Sequence, residues 1–503
     1  MRMKKLPLTP NHTTDRKKSG KQKKTGMLLL FRVDTPIKRR REARGRFITK
    51  PIAAIVILCT FAGIMKKMML TFAAVLFTEA EDNHIRSIRS LLTLAAVLFV
   101  AAGSLAQKKD FSYKFYGQVR TDLYYNSRAN QETVDGLFYM YPKDKNPDPA
   151  GKDLNATPNS NFYTLYSRLG VNITGPKLGN AATSAKVEAD FRGTGSSFSV
   201  VRLRHAYFQM DRGKSSLLAG QTWHPLFGDV SPQILNLSVG APFQPFSRAP
   251  QLRYRYTGKH IRLTGAAVWQ SQYLSQGIDE NNPMKSKKSQ EYIKKSMVPE
   301  LFTGIDYHSK HFLAGLGVEF LSMKPRTQAT GADGKTYRVS ERINSLSYEA
   351  HAKYTANDWF IAAKSVLGSN LTQTSGLGGF GIRSVDSATG AQKYTPIRFS
   401  SSWLNVVYGK RWKPGIFAGY ARNLGTPEAL QEGTPLYGTG TDLKDLASLG
   451  TELTYNTPHW KFGVEYLYSI ANYGKDIDRK DGKMLDTHSV RNHRLVAAAM
   501  FMF

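Results

Sequence analysis

Ala185-Lys-Val-Glu-Ala-Asp-Phe-Arg192 and Leu346-Ser-Tyr-Glu-Ala-His-Ala-Lys-Tyr354 alternate, residue by residue, between an apolar side chain and a polar one. A period of two is the period of a β-strand, whose successive side chains point to opposite faces. In both stretches the polar face is heavily charged, so the strand separates an apolar medium from water. The same alternation places Tyr163, Leu165, Leu169, Val171 and Ile173 opposite Tyr166, Arg168 and Asn172. From Gln107 onward no apolar pattern with a helical period is sustained.

The connections say how such strands are arranged. Seven have the chemistry of tight turns: Pro176-Lys-Leu-Gly-Asn180, Asp211-Arg-Gly-Lys214, Thr257-Gly-Lys259, His308-Ser-Lys310, Thr355-Ala-Asn-Asp358, Lys413-Pro-Gly415 and Asn456-Thr-Pro-His459. Between them lie long Gly, Asn, Asp and Pro-rich loops near 128–160, 225–250, 272–298, 323–342, 371–395, 424–445 and 472–489, with one short loop at 193–197. Seven turns and eight loops in strict alternation join sixteen strands and put every turn on one rim. The fold class expected is all-β, a transmembrane antiparallel β-barrel with short periplasmic turns and long external loops. Closure satisfies every backbone group in lipid, and roughly 25 residues for each strand with its connection suits membrane-crossing strands of about 9 to 11 residues.

The only long aliphatic runs lie before residue 107. Arg86-Ser-Ile-Arg89, the apolar run Leu91 to Ala102 and Gly103-Ser-Leu-Ala106 have the three parts of a secretory signal, and that apolar run is shorter than a spanning helix requires. Cleavage is expected after Ala106. Leu70 to Phe77 nearly repeats Leu92 to Phe99 behind a second start-like Met65-Lys-Lys-Met68, so 65–106 is read as the signal region. Residues 1–64 form a basic extension compatible with a wrongly chosen start, and 107–503 form the barrel. The first 106 residues carry 21 Lys and Arg against 6 Asp and Glu within a formal charge of +32, and the remainder still carries 49 against 32. The basic excess therefore survives removal of the leader, and no nucleic-acid motif accompanies it. The single Cys59 lies upstream, which rules out a disulfide framework or a Cys metal site in the barrel. Neither a metal nor a cofactor is implied.

The last stretch, Arg494 to Phe503, sets Leu495, Ala497, Ala499, Phe501 and Phe503 on one face and ends on an aromatic residue. Phe501 and Phe503 are read as the signal recognised by the barrel assembly machinery. The surroundings expected are outer-membrane lipid and lipopolysaccharide of a Gram-negative cell.

Arginine recurs on the face assigned to the lumen: Arg120, Arg168, Arg192, Arg202, Arg204, Arg253, Arg255 and Arg262. In Val201-Arg-Leu-Arg204 and Leu252-Arg-Tyr-Arg-Tyr256, turning Arg toward lipid would cost about 2 to 4 kcal/mol at mid-membrane. The third loop carries Pro225, Asp229, Pro232, Pro242, Pro245 and Arg248, with Pro250 at its end; folded inward, it would face these arginines across a narrow passage, and rings of Arg favour anions. The alternative is that the arginines pair with Asp122, Glu188 and Asp190 as wall salt bridges. The sequence does not choose between the two.

Val201-Arg-Leu-Arg-His-Ala-Tyr-Phe208 followed by Leu217-Leu-Ala-Gly-Gln-Thr-Trp-His-Pro-Leu-Phe227 resembles the DcaP-like trimeric porins and, more distantly, the phosphate-selective porins. The resemblance implies a sixteen-stranded homotrimer that lets small, often negatively charged solutes diffuse across the outer membrane. The chain departs from it in having no heptad helix after the signal, and its second loop is too short to latch a neighbour. Three other readings compete. A plugged transporter has no room for a plug before the first strand. A barrel enzyme would draw on His205, His224, His308, His311, His351 or His493, but no nucleophile stands at a telling spacing. A structural or adhesive barrel with a closed lumen would use Leu137-Phe-Tyr-Met-Tyr141 as a partner surface.

Overall fold

The computed structural model describes residues 110–132, 136–193 and 200–503. The basic extension, the signal region and the cleavage point after Ala106 lie outside the described residues.

Sixteen strands form the wall: β1 (Ser112–Asn126), β2 (Asn159–Tyr163 continued by Arg168–Leu178), β3 (Ala181–Gly193), β4 (Val200–Arg212), β5 (Ser215–Trp223), β6 (Arg248–Thr257), β7 (Ile261–Val268) and β8 (Glu300–His308) make the first half. The second half is β9 (Phe312–Met323), β10 (Ile343–Ala356), β11 (Trp359–Ser369), β12 (Gln392–Tyr408), β13 (Trp412–Gly425), β14 (Leu443–Asn456), β15 (Trp460–Ile477) and β16 (Met484–Met502). Each pairs antiparallel with the next, and β16 returns to β1 through Gln118↔Met502 to Asn126↔Arg494, so the sheet has no free edge. Seven short turns lie on one rim and the longer connections on the other; six fall where turn chemistry placed them, while the seventh is at 409–411, and Lys413-Pro-Gly415, expected as that turn, is paired in β13 with Glu452 to Thr454 of β14.

The two faces separate as the alternation demands. Val119, Leu123, Tyr125, Leu169, Leu252, Tyr254, Leu263 and Leu316 point outward and are exposed, whereas Arg120, Asp122, Glu188, Asp190, Arg204 and Asp306 point inward and are buried. Exposed apolar side chains on every strand would be unsustainable in water; in a bilayer they are the matched surface. Trp359 with Tyr408, Trp412 with Tyr455 and Trp460 with Phe501 pair at 4.7 to 4.9 Å between ring centroids beside the tight turns, forming an aromatic girdle at that rim.

Three expectations of detail change. The alternation expected from Tyr163 to Ile173 is broken at 164–167, where β1 has one residue fewer between its partners of Tyr163 and Arg168. The extra residue exchanges faces, so Leu165 is buried while Leu169 faces outward. The last long loop contracts to 478–483 because β15 and β16 stay paired out to Ile477↔Met484. Leu137 to Tyr141 is not a surface: all five residues are buried inside the barrel. Arg494 donates to Gly136 O (2.8 Å), Tyr473 to Pro142 O (2.8 Å), and Phe138 packs edge-on against Phe246 at 5.0 Å. A run of five large apolar and aromatic residues has too much to gain from burial to remain in water.

Candidate functional site

Loop 3, residues 224–247, leaves β5, runs inside the barrel and returns to β6. Its neck is closed by His224 N–H donating to Ser247 O at 3.0 Å. Trp223 and Phe227 stack there at 3.9 Å. Gly228 then takes φ +60, open to glycine at little cost, and the turn presents Asp229 to the wall. Lys364 of β11 donates to the carbonyls of Leu226 (2.6 Å) and Phe227 (2.9 Å). Gln233 N–H donates to Asn405 Oδ1 of β12 at 2.7 Å. At the tip, Leu235 N–H donates to Glu452 of β14, Asn236 N–H to Glu465 of β15 at 3.0 Å, and Arg120 of β1 to Leu235 O at 3.0 Å. On the return, Phe243 lies over Gly419 and Phe417 of β13, and Trp403 Nε1 donates to Gln244 Oε1 at 2.7 Å. A backbone segment inside a barrel must find partners for its own N–H and C=O groups, and these wall side chains provide them.

Pro225, Pro232, Pro242 and Pro245 lie in this loop as expected. Arg248 does not: it is the first residue of β6, paired in register with Trp223, and Pro250 is also strand. The ladder with β5 reaches further than turn chemistry suggested. Arg248 is fully buried over the Trp223 ring, 4.6 Å from its centroid, and donates to Tyr273 Oη at 3.2 Å.

The arginines assigned to the lumen all face inward, and most are paired. Arg120 holds Asp122 at 2.6 Å. Arg202 holds Asp190 at 2.6 Å, Arg204 bridges Glu188 (2.5 Å) and Asp190 (2.8 Å), and Arg168 stands 3.8 Å from Glu188. Arg192 lies over Tyr166, 3.9 Å from its ring centroid. On the other side of the loop neck, Arg262 contacts Asp306 (2.8 Å) and Asp229 (2.7 Å), and Arg255 stands 3.4 Å from Asp229. No carboxylate of the described residues lies within ion-pairing distance of Arg253. Burial pushes the Asp229 carboxyl up, but the neighbouring Arg255 and Arg262 outweigh it and hold the group below its usual range. Wall salt bridges thus account for Arg120, Arg168, Arg202, Arg204 and Arg262, whereas Arg253 and Arg255 have no wall carboxylate within ion-pairing distance among the described residues.

Sequence reasoning missed Lys364, Glu452 and Glu465, single charges in the second half that act on the loop backbone. His351, named among the histidines a barrel enzyme would draw on, is a wall residue that contacts Asp306 and Glu349 at 3.0 Å each. The other histidines are dispersed: His205 meets Thr222 Oγ1 at 3.0 Å, and His493 meets the Tyr466 hydroxyl at 2.8 Å. His224, Glu300 and Glu319 converge closely enough to suggest a cation site. However, His224 Nδ1 accepts from Leu226 N–H at 3.2 Å, which leaves the ring proton on Nε2, aimed at Glu300 3.1 Å away. That nitrogen is a donor and not a ligand.

No protein-family model matches the sequence, and no curated protein matches it. Among solved structures, the outer membrane channel DcaP of Acinetobacter baumannii is similar at 17% identity and TM-score 0.55, covering 79% of this chain and 99% of that one. An anion-selective porin from Comamonas acidovorans matches at 11% identity and TM-score 0.45, over 78% of this chain and 100% of that one. The first likeness is one of fold: the barrel of this chain is built as that channel is.

Proposed function

We propose that the protein is a porin of the Gram-negative outer membrane, a passive diffusion channel for small hydrophilic, anionic solutes. The observation that carries this reading is the placement of loop 3 inside the barrel beside Arg253, Arg255 and Arg262, three guanidiniums beside one loop carboxylate, Asp229, which contacts Arg255 and Arg262 and leaves Arg253 without an ion pair among the described residues. Fixed cations beside a narrow, poorly screened passage concentrate anions. The turn rim faces the periplasm and the loops face outward among lipopolysaccharide. Phe501 and Phe503 address the assembly machinery, and three copies associate as a homotrimer. The residues proposed to set selectivity are Arg202, Arg204, Arg253 and Arg255.

Planar-bilayer recording in a salt gradient tests the reading. The wild-type channel should prefer anions, and replacing those four arginines by Gln should move the reversal potential toward the non-selective value. Replacing Lys285, Lys287 and Lys294 should do much less, because they are exposed in the fourth loop and open solvent screens them within about 8 Å at physiological salt. A cation-selective wild type, or equal effects of the two sets, refutes the anion pathway. One observation favours a closed structural barrel instead, the apolar cluster of Phe138, Tyr141, Phe243, Phe246 and Phe417 inside the wall. Complete absence of conductance would decide for it.

A further inference from the structure

The three arginines of β6 and β7 do not stand empty. Arg253 and Arg255 face the lumen two residues apart on β6, and Arg262 faces it on the adjoining β7. Together they have the geometry that anions seek: several guanidinium groups from neighbouring strands, each able to offer two N–H donors to one oxyanion. What occupies the cluster is Asp229, carried to it by the Gly228 turn, with Oδ2 2.7 Å from Arg262 Nη1 and 3.4 Å from Arg255 Nη1. Arg262 has a second partner in the wall, Asp306 at 2.8 Å, whereas Arg255 has Asp229 alone among the described carboxylates. Asp229 is also the least enclosed member of the network. Its side chain is 38% exposed, against 15% for Arg262 and 9% for Asp306. A solute oxyanion arriving from the lumen therefore meets the carboxylate that is easiest to displace.

We propose that Asp229 is a built-in competitor for this anion site: the loop's own carboxylate occupies the Arg253, Arg255 and Arg262 cluster, and a permeating anion binds by displacing it. The inference rests on the reading of the barrel as an anion pathway and adds to it the residue that sets how tightly anions are held. A channel must bind its solute weakly enough to release it. A tethered carboxylate meets that requirement, because it converts a strong three-arginine site into one where each bound anion has to exceed the loop's own interaction.

Citrate, a compact tricarboxylate, serves as the probe, titrated by calorimetry into the purified full-length protein in detergent and tested as a blocker of single-channel current. Asp229→Asn keeps the shape and hydrogen-bonding capacity of the side chain and removes its charge. It should bind citrate about tenfold or more tightly than wild type, a change of about one power of ten in Kd. Asp229→Glu, which keeps the charge, should stay near wild type. Adding Arg255→Gln to Asp229→Asn should remove the gain. Asp229→Ala provides a second uncharged variant should the amide alter the loop. Unchanged citrate affinity in both uncharged variants overturns the competitor, whatever the currents do. Tighter citrate binding in barrels that carry no current supports the competitor and refutes the porin reading.

Discussion

Gly419 on β13 is where the return limb of loop 3 meets the wall, and filling it should loosen that limb selectively. The residue faces inward with an ordinary backbone conformation, so β13 itself accepts a side chain. A Cβ at this position would stand 2.7 Å from Cγ and Cε2 of Phe243, where ordinary contact begins at 3.4 Å. Gly419→Val adds two further carbons to that overlap, so the Phe243 ring, now only 1% exposed, has to leave its seat. Losing the burial of a Phe ring is worth about 3 to 5 kcal/mol. The bonds from the loop tip to Glu452 and Glu465 are hydrogen bonds at about 0.5 to 1.5 kcal/mol each, and they lie away from the substitution. The balance predicts that residues 241–246 detach while the tip remains anchored. Single-channel conductance should rise and become noisier, and proteases added on the loop side should cut within 241–246. The unfolding temperature of the barrel should change little, since no wall hydrogen bond is touched. Phe243→Ala, which removes the ring without a clash, should reproduce the conductance change. If both variants conduct as wild type and resist cleavage, loop 3 is not what limits the passage.

Arg204→Gln should destabilise the barrel by about 1.5 to 3 kcal/mol, because Glu188 and Asp190 each lose a charge-assisted hydrogen bond while Arg168 and Arg202 stay beside them; denaturant unfolding that matches wild type would contradict this. Deleting Phe503 should slow assembly, since its backbone exchanges two hydrogen bonds with Gly117 where the barrel closes (2.9 and 3.1 Å), and unchanged surface levels with normal heat-modifiable mobility would argue against it. An epitope inserted at Asn357 should stay hidden on intact cells while one at Lys480 is reached, because these positions lie in connections on opposite rims; labelling at both would break the strand order.

What was legible in the sequence follows from what periodicity encodes. Alternation such as Ala185 to Arg192 fixes which side chain faces lipid, and tight turns such as Asp211-Arg-Gly-Lys214 mark where direction reverses; together they yield sixteen strands and the inward arginines. Loop 3 was legible as proline-rich but its path was not, because its anchors are isolated residues far away in sequence: Lys364, Asn405, Glu452 and Glu465 each look like one more polar position on an alternating strand. The burial of Leu137 to Tyr141 did carry a signal, five consecutive large apolar and aromatic residues in a loop, and the gain from burying them should have outweighed its reading as a surface. The face exchange at 164–167 had no comparable signal. A single extra residue in a strand changes no composition and shows only through the register of its neighbour.

Register also explains why the arginines divide into two kinds. Cross-strand neighbours on one face are the pairs that interact in a sheet. Arg202 and Arg168 both stand opposite Asp190, and Arg262 stands opposite Asp306, so the ladder itself supplies each with an acid. Arg253 stands between Leu218 and Ala266, and Arg255 between Ser216 and Thr264. Neither has an acidic wall neighbour in register, and the nearest anion either can meet is carried by loop 3 or by the solute. Counting inward arginines therefore overstates the field acting on a passing ion: a charge neutralised by its ladder partner contributes a dipole, while an unmatched one contributes a full charge. On this ground the effect of the four-arginine replacement should come mainly from Arg253 and Arg255. Arg202→Gln with Arg204→Gln, made alone, should instead expose the charge of Asp190 and Glu188 and draw cations toward β3 and β4. The two halves of one substitution set should thus differ in kind, a distinction that the register makes and the composition does not.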